Sequence, residues 1–291
     1  MEILQLIVSG VAQGCIYGLI ALSFVLIYKA TETVSFVQGD IMMMGAFLAF
    51  IVMTVFGVPF WLTVILVIVA IALVGVLIEK VAIRPILGEP VFSIVMLTLG
   101  LGYVIRGIVT MIPEIGTNTQ ALAVPYKDTI LRLGNAVLAG EHVVVIVVTA
   151  LLCLGLFLLF KYSKVGIAMQ ATSQNQLAAY YMGIPVKRLN GLVWGLAAAL
   201  AAIGGILLAP ITFVYVNMGF IGLKAFPAAV IGGFGSLPGA IVGGMIIGLL
   251  EAFSGFYLPE GFRDITPYIA VLIMLMIRPN GLFGEELRKK V

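Results

Sequence analysis

Apolar runs alternate with short polar breaks along almost the whole chain, at residues 3–28, 41–56, 60–78, 92–112, 143–160, 192–209, 220–233, 240–256 and 265–277. A helix needs about 20 mostly apolar residues, at about 1.5 Å each, to cross the hydrocarbon of a bilayer. The pattern therefore predicts an all-α, polytopic bundle of eight or nine membrane spans forming a single domain, 1–291. The run 220–233 is short and carries Lys224 and Pro227, which predicts a re-entrant or half-spanning helix. A similar break is expected at 35–40, where Gln38 and Asp40 sit beside the second run.

The longest polar interruption is 161–190, KYSKVGIAMQATSQNQLAAYYMGIPVKRLN, between two apolar runs. Its residues form helices readily, and Gly183-Ile184-Pro185 ends the stretch sharply. It reads as a part presented to water and to another protein. Lys161, Lys164, Lys187 and Arg188 place it inside by the bias of basic residues in short loops, and Lys80 and Arg84 do the same for the loop after the third run. Arg288, Lys289 and Lys290 put the C-terminus inside, so the N-terminus falls outside if all nine runs cross. The segment 113–141 then lies outside with mixed charges, including Glu114, Lys127 and Asp128, while Arg263 and Asp264 fall in a second outside loop. Such loop charges are ordinarily solvated and worth little singly.

Composition agrees with the pattern. Of 291 residues, 62% are hydrophobic and 10% charged, against about 45–50% and about 25% in soluble domains. The net charge of +3 reflects basic residues at span ends and implies no nucleic acid. The first run is preceded by Glu2 and no basic residue and is too long for a signal peptide, so it is expected to remain as the first span. Cys15 and Cys153 lie in separate apolar runs as packing residues, and His142 begins a span at the interface. One histidine and two scattered cysteines supply neither a metal cluster nor a nucleophile with its base.

Glycine, at 34 residues, recurs at a spacing of four: Gly10, Gly14 and Gly18, then Gly191 and Gly195, then Gly235, Gly239 and Gly243. In lipid, small residues let helix backbones approach and carry the packing. The stretch 231–239 is too broken for one helix, so Gly232, Gly233, Gly235, Ser236 and Gly239 are expected to form a structural turn between two short helices. Gly14-Cys-Ile-Tyr17-Gly18 is echoed by Gly191-Leu-Val-Trp194-Gly195 in a helix expected to run the opposite way, the mark of an inverted repeat in transporters. Ionisable residues within runs are few. Arg106 and Glu251 are expected to snorkel from outer helix ends, and Asp40 to sit near an interface beside Gly39. The broken segment Gln38, Gly39 and Asp40 is the candidate translocation pathway, with Tyr17, Trp194 and Tyr103 as aromatic walls.

Five segments in series carry a resemblance: Gln38-Gly39-Asp40-Ile-Met-Met-Met44-Gly45-Ala46, Val81-Ala-Ile-Arg84-Pro85-Ile-Leu-Gly88, Leu97-Thr98-Leu-Gly100, IGGFGSLPGAIVGGMIIG at 231–248, and Ile277-Arg278-Pro279-Asn-Gly281-Leu282-Phe283-Gly284. With the polar segment, they resemble the LivH-type permease of branched-chain amino acid ABC transporters over nearly the whole chain. The resemblance implies that 161–190 is a cytoplasmic coupling segment on which ATPase subunits dock. Its coupling residues would be Ala171, Ala178, Ala179, Gly183, Ile184 and Pro185, with 171–182 as one coupling helix. Many relatives carry Arg before the alanine where this chain has Gln170.

The resemblance further implies a second permease subunit, two ATP-binding subunits that hold ATP and Mg, and a solute-binding protein outside. The chain itself has no G-x-x-x-x-G-K-[ST] loop for nucleotide phosphates, so no cofactor and no catalytic residue is expected in it. A related importer for urea or short amides is the alternative reading. An ion-coupled carrier is a third, and it would need a relay of carboxylates at membrane depth that these runs do not offer.

Overall fold

The computed structural model describes residues 2–127, 129–133 and 136–284. Arg288, Lys289, Lys290 and Asp128 lie outside the described residues. All nine apolar runs are helical: α1 (Glu2–Thr31), α2 (Gln38–Thr54), α3 (Phe60–Ile78), α4 (Val91–Thr110), α5 (Gly140–Tyr162), α8 (Val186–Thr212), α9 (Ile221–Gly232), α10 (Leu237–Tyr257) and α11 (Phe262–Ile277). Six of them, α1, α3, α4, α5, α8 and α10, are long and apolar enough to cross a bilayer alone. A π turn, Glu79–Ile83, and a 3-10 turn, Arg84–Ile86, lengthen α3, and a 3-10 segment, Val216–Phe220, leads into α9. The polar segment folds as α6 (Lys164–Gln174) and α7 (Gln176–Tyr181). The one sheet among the described residues is a hairpin before α5, β1 (Ile130–Leu133) antiparallel to β2 (Ala136–Ala139).

Two helices form the centre. Over their apolar stretches α1 is 89% buried and α8 78%, against 22% for α3 and α4 and 17% for α5. They run in opposite directions, because the end of α1 (Leu26, Lys29, Ala30) and the start of α8 (Leu189, Asn190, Val193) line one small cavity with α6. The glycine echo marks matching but exchanged contacts. Gly14 and Gly18 lie against α10, where a Cβ on Gly14 would stand 2.7 Å from the Met245 Cα, while Gly191 and Gly195 lie against α3, where one on Gly195 would stand 3.0 Å from Val76 Cγ2. Each central helix thus packs on the third helix of the other half, as an inverted repeat of α1–α4 and α8–α11 requires.

One end of the bundle carries α6, α7, Lys80, Arg84 and the tail after α11. Arg84 ties this end together, pairing with Glu79 at 2.5 Å and donating to the Lys187 carbonyl at 3.1 Å. At the other end lie the hairpin and segment 111–127, where Gln120 pairs with Val214 beyond α8 and Tyr126 meets Phe60 edge to face. Burial, and then the nearby Glu141 carboxylate, push the Tyr126 phenol up to about 12.

The turn occupies 233–236 and is narrower than expected, since Gly232 ends α9 and Gly239 lies in the first turn of α10, and α10 itself is long and not short. Gly233 adopts φ +95°, which favours glycine, and Ser236 caps α10 by accepting from the Gly239 N–H. The tail folds back on this turn, with Leu282 N–H donating to Ile231 O and Phe283 N–H to Gly232 O.

Replacing Gly14 with Leu should lower the thermal midpoint of the detergent-extracted protein, because backbone of Met245 and Gly244 stands in the way. The overpacking cost is about 1–3 kcal/mol. Gly100→Leu, at a position with nothing within 4 Å, should leave the midpoint close to that of the parent.

Candidate functional site

The pathway candidates Gln38, Gly39 and Asp40 form the first turn of α2, which begins inside the bundle and not at its end. The chain leaves α1 at Thr31 and runs extended through 33–35, and Phe36 N–H donates to Thr98 Oγ1 halfway along α4. The next half of the chain mirrors this entry. The 3-10 segment descends from Val214, and α9 starts against α2, so close that a Cβ on Gly39 would stand 3.0 Å from Gly222 Cα. The two broken helices then run toward opposite ends, α2 to the hairpin end and α9 to the α6–α7 end. Gln38 is fully buried, and neither Oε1 nor Nε2 of its amide has a hydrogen-bond partner among the described residues; Ser35 Oγ is in the same state. Unpaired polar groups cost about 1–3 kcal/mol each in a protein interior, so this junction is a polar place within the core.

Asp40 is buried and pairs with Arg106 of α4. The Arg106 guanidinium also lies 3.8 Å from the centroid of Phe220 and 5.5 Å from that of Tyr103. Arg106 is therefore held inward by a carboxylate and two rings, which corrects the expectation of a snorkelling residue. Glu251 departs from that expectation as well. It is 2% exposed and accepts from Tyr17 Oη at 2.5 Å, Lys224 Nζ at 3.1 Å and Arg263 Nε at 3.2 Å, and Lys224 reaches Asp264 at 2.5 Å. This network knits α1, α9, α10 and α11 beside a cavity of about 220 Å³ that Ser9, Gln13, Glu251 and Arg263 line.

The other proposed aromatic walls take packing positions. Tyr17 is spent on Glu251 and Gln13, and Trp194 is buried against Gly75, its Nε1 unpaired among the described residues. Tyr103 is exposed. The structure brings Gln38, Gly39 and Asp40 together with Arg106, and sets Tyr17 and Trp194 apart from them.

At the α6–α7 end, residues 171–182 are two helices and not the one expected. Asn175 leaves helical geometry at φ −160°, and its side chain caps α7 by accepting from the Ala178 N–H. Gly183, at φ +82°, ends α7, with Ile184 N–H donating to Ala179 O and Gly183 N–H to Tyr180 O. Pro185 then precedes α8. Ala178 and Gly183 are exposed, Ala171 and Ile184 partly so, and Ala179 is buried. Gln170 turns back to the Phe160 carbonyl. The outward face consists of Leu177, Tyr180, Tyr181 and Met182, all more than 60% exposed. Sequence reading missed these residues, since Leu and Tyr in a short helix ordinarily signal burial.

Residues 6–277 match the family model described as the permease component of the branched-chain amino acid transport system. The chain belongs to this family. It is similar to the high-affinity branched-chain amino acid transport system permease protein LivH of Escherichia coli (strain K12), 30% identical over 99% of this chain and 97% of that one. BraD of Pseudomonas aeruginosa is 29% identical over 99% and 98% of the two chains, and a probable LivH of Methanocaldococcus jannaschii 30% over 93% and 89%. Among solved structures, PsaBC from Streptococcus pneumoniae in complex with Fab shares the fold, with a TM-score of 0.51 at 18% identity over 94% of this chain and 91% of that one. This permease-family chain is accordingly an inner-membrane transport subunit.

In this permease-family chain Glu251→Leu should destabilise the extracted protein by about 1–3 kcal/mol, because Lys224 and Arg263 lose a shared buried partner. Asp264→Ala should cost less than about 1 kcal/mol, its carboxylate being 71% exposed. Thermal unfolding in detergent compares the two.

Proposed function

We propose that this chain is a permease subunit of an ABC importer for branched-chain amino acids, forming half of the translocation pathway. It pairs with a second, homologous permease, receives substrate from a solute-binding protein outside, and is driven by two ATP-binding subunits that carry ATP and Mg. The observation that carries the coupling part of this reading is the exposed apolar face of α7, at the end of the bundle where Lys80, Lys161, Lys164, Lys187 and Arg188 gather. Basic loop residues mark the cytoplasmic side of a membrane protein. Apolar side chains held out into cytoplasm by a capped and terminated short helix suit a groove on a partner. Segment 161–190 is on this reading the coupling segment, with Gly183, Ile184 and Pro185 setting the angle at which α7 is presented.

A cavity of about 800 Å³ lies beside α6, lined by Lys29, Glu32, Gln170, Ser173, Phe234 and Asn280 among others. It separates α6 from the 233–236 turn, so motion of α7 imposed by an ATPase has room to reach the ends of α1 and α9. At the centre, the first turn of α2 and its meeting with α9 provide the polar stretch of the pathway, through Gln38, Gly39 and Asp40. Tyr17 and Trp194 lie away from that stretch, in the packing of α1 against α10 and of α8 against α3.

The reading is tested by reconstituting the chain with its co-purifying subunits in liposomes and measuring labelled leucine uptake. Uptake that requires internal ATP and external binding protein is the expected result. Uptake driven by an ion gradient alone, or of urea in place of leucine, would overturn it.

Leu177→Asp together with Met182→Asp should abolish ATP-driven uptake while leaving the chain inserted, as should aspartates at both Gly183 and Ile184. Co-purification of the ATP-binding subunits should fall in parallel, and normal uptake in both variants would remove α7 from the coupling role.

A further inference from the structure

Arg106 spends little of its hydrogen-bonding capacity. Its Nε donates to Asp40 Oδ1, and the terminal nitrogens Nη1 and Nη2 make no hydrogen bond among the described residues. A guanidinium carries five N–H donors in a fork shaped to a carboxylate. An arginine kept for structure in lipid would be expected to use them, since a charge at a helix centre costs about 2.5–3.5 kcal/mol on insertion scales. The cation instead lies over the rings of Phe220 and Tyr103, residues that are 44% and 68% exposed. Glycines flank the group, and a Cβ on Gly219 would stand 3.4 Å from Arg106 Nη2.

The cluster draws on α4, the first turn of α2 and the 3-10 segment before α9, the three elements that meet where both broken helices begin. It combines a cation with unspent donors, a buried carboxylate and two partly exposed aromatic residues. That set complements one chemistry: a zwitterion with an apolar side chain. We infer that Arg106 and Asp40 form a substrate subsite in which Arg106 Nη1 and Nη2 take the α-carboxylate of an amino acid, Asp40 takes its α-ammonium, and Tyr103 and Phe220 receive the side chain. The internal ion pair is then the resting form of the site. An arriving carboxylate draws the guanidinium from Asp40, the freed carboxylate takes the ammonium, and the pair re-forms behind the departing substrate, so neither charge is ever buried alone.

This inference rests on the amino-acid importer reading, and its test separates the two. The complete complex with its ATP-binding subunits is reconstituted, and labelled leucine uptake is measured for the parent and for the double variant Asp40→Asn, Arg106→Gln. Absence of ATP-driven leucine uptake in the parent would sink the importer reading before any variant is compared. Removing both charges of a purely structural buried pair is often neutral or stabilising, whereas removing them from a binding site is not. The expected result is a double variant that co-purifies with the other subunits and keeps its thermal midpoint while losing uptake at least about tenfold, the scale of one charged hydrogen bond. Arg106→Lys, which keeps the charge without the fork, should retain part of the uptake. Parental uptake in the double variant would overturn the subsite, and so would loss of the assembled complex, which would assign the pair to structure.

Discussion

A helix that starts in the middle of a bilayer leaves its first amide groups without partners, and hydrocarbon offers none. Two helices of this protein, α2 and α9, start that way. They can do so because protein surrounds both starts: Gly39 lies against Gly219 and Gly222, and Met42 and Gly45 against Gly205 and Ala202 of α8. At Gly39, Gly45, Gly205 and Gly222 a Cβ would meet backbone, and at Gly219 it would meet the Asp40 carboxylate. The high burial of α1 and α8 follows from the same need, since the broken helices must be packed against helices of the protein.

Enclosure also decides what the charged residues do. Asp40, Glu79 and Glu251 are buried, and each has a basic partner on a neighbouring turn or helix. The Glu79–Arg84 pair lies at the end of α3 and the Glu251 network toward the end of α10, on opposite ends of the bundle, where the two halves of the fold exchange partners. The Asp40–Arg106 pair differs from both. It sits at the junction of the broken helices, with Phe220 and Tyr103 beside the guanidinium, and on the proposed reading this junction is where the solute binds.

At the α6–α7 end the requirement is reversed. There the backbone is capped by Asn175 and closed by Gly183, so α7 stands as a short rigid element with its apolar side chains outward. On the proposed coupling role, a short helix secured at both termini would transmit a push that a frayed loop would absorb.

Much of the architecture was legible from the chain. Nine apolar runs became nine helices, because a stretch of that length has no other way to satisfy its backbone in lipid. Breaks near 35–40 and 231–239 were legible because Gly and polar residues interrupt apolar runs there, although the structure places them at 32–37 and 233–236, with Gln38 to Asp40 inside α2. The division of 171–182 was not, since Asn175 in a polar helix looks like any solvated residue until its side chain is seen capping α7. Nor did Arg106 and Glu251 declare their partners, which lie 66 residues away at Asp40 and 234 residues away at Tyr17. Local pattern determined which segments enter the membrane, where they break and which end carries positive charge. Only the tertiary structure decided which buried charges meet, that Tyr17 bonds to Glu251 and Trp194 serves packing, and that Leu177, Tyr180, Tyr181 and Met182 face outward, because each depends on which helix is a neighbour, and hydropathy along one helix does not encode its neighbour.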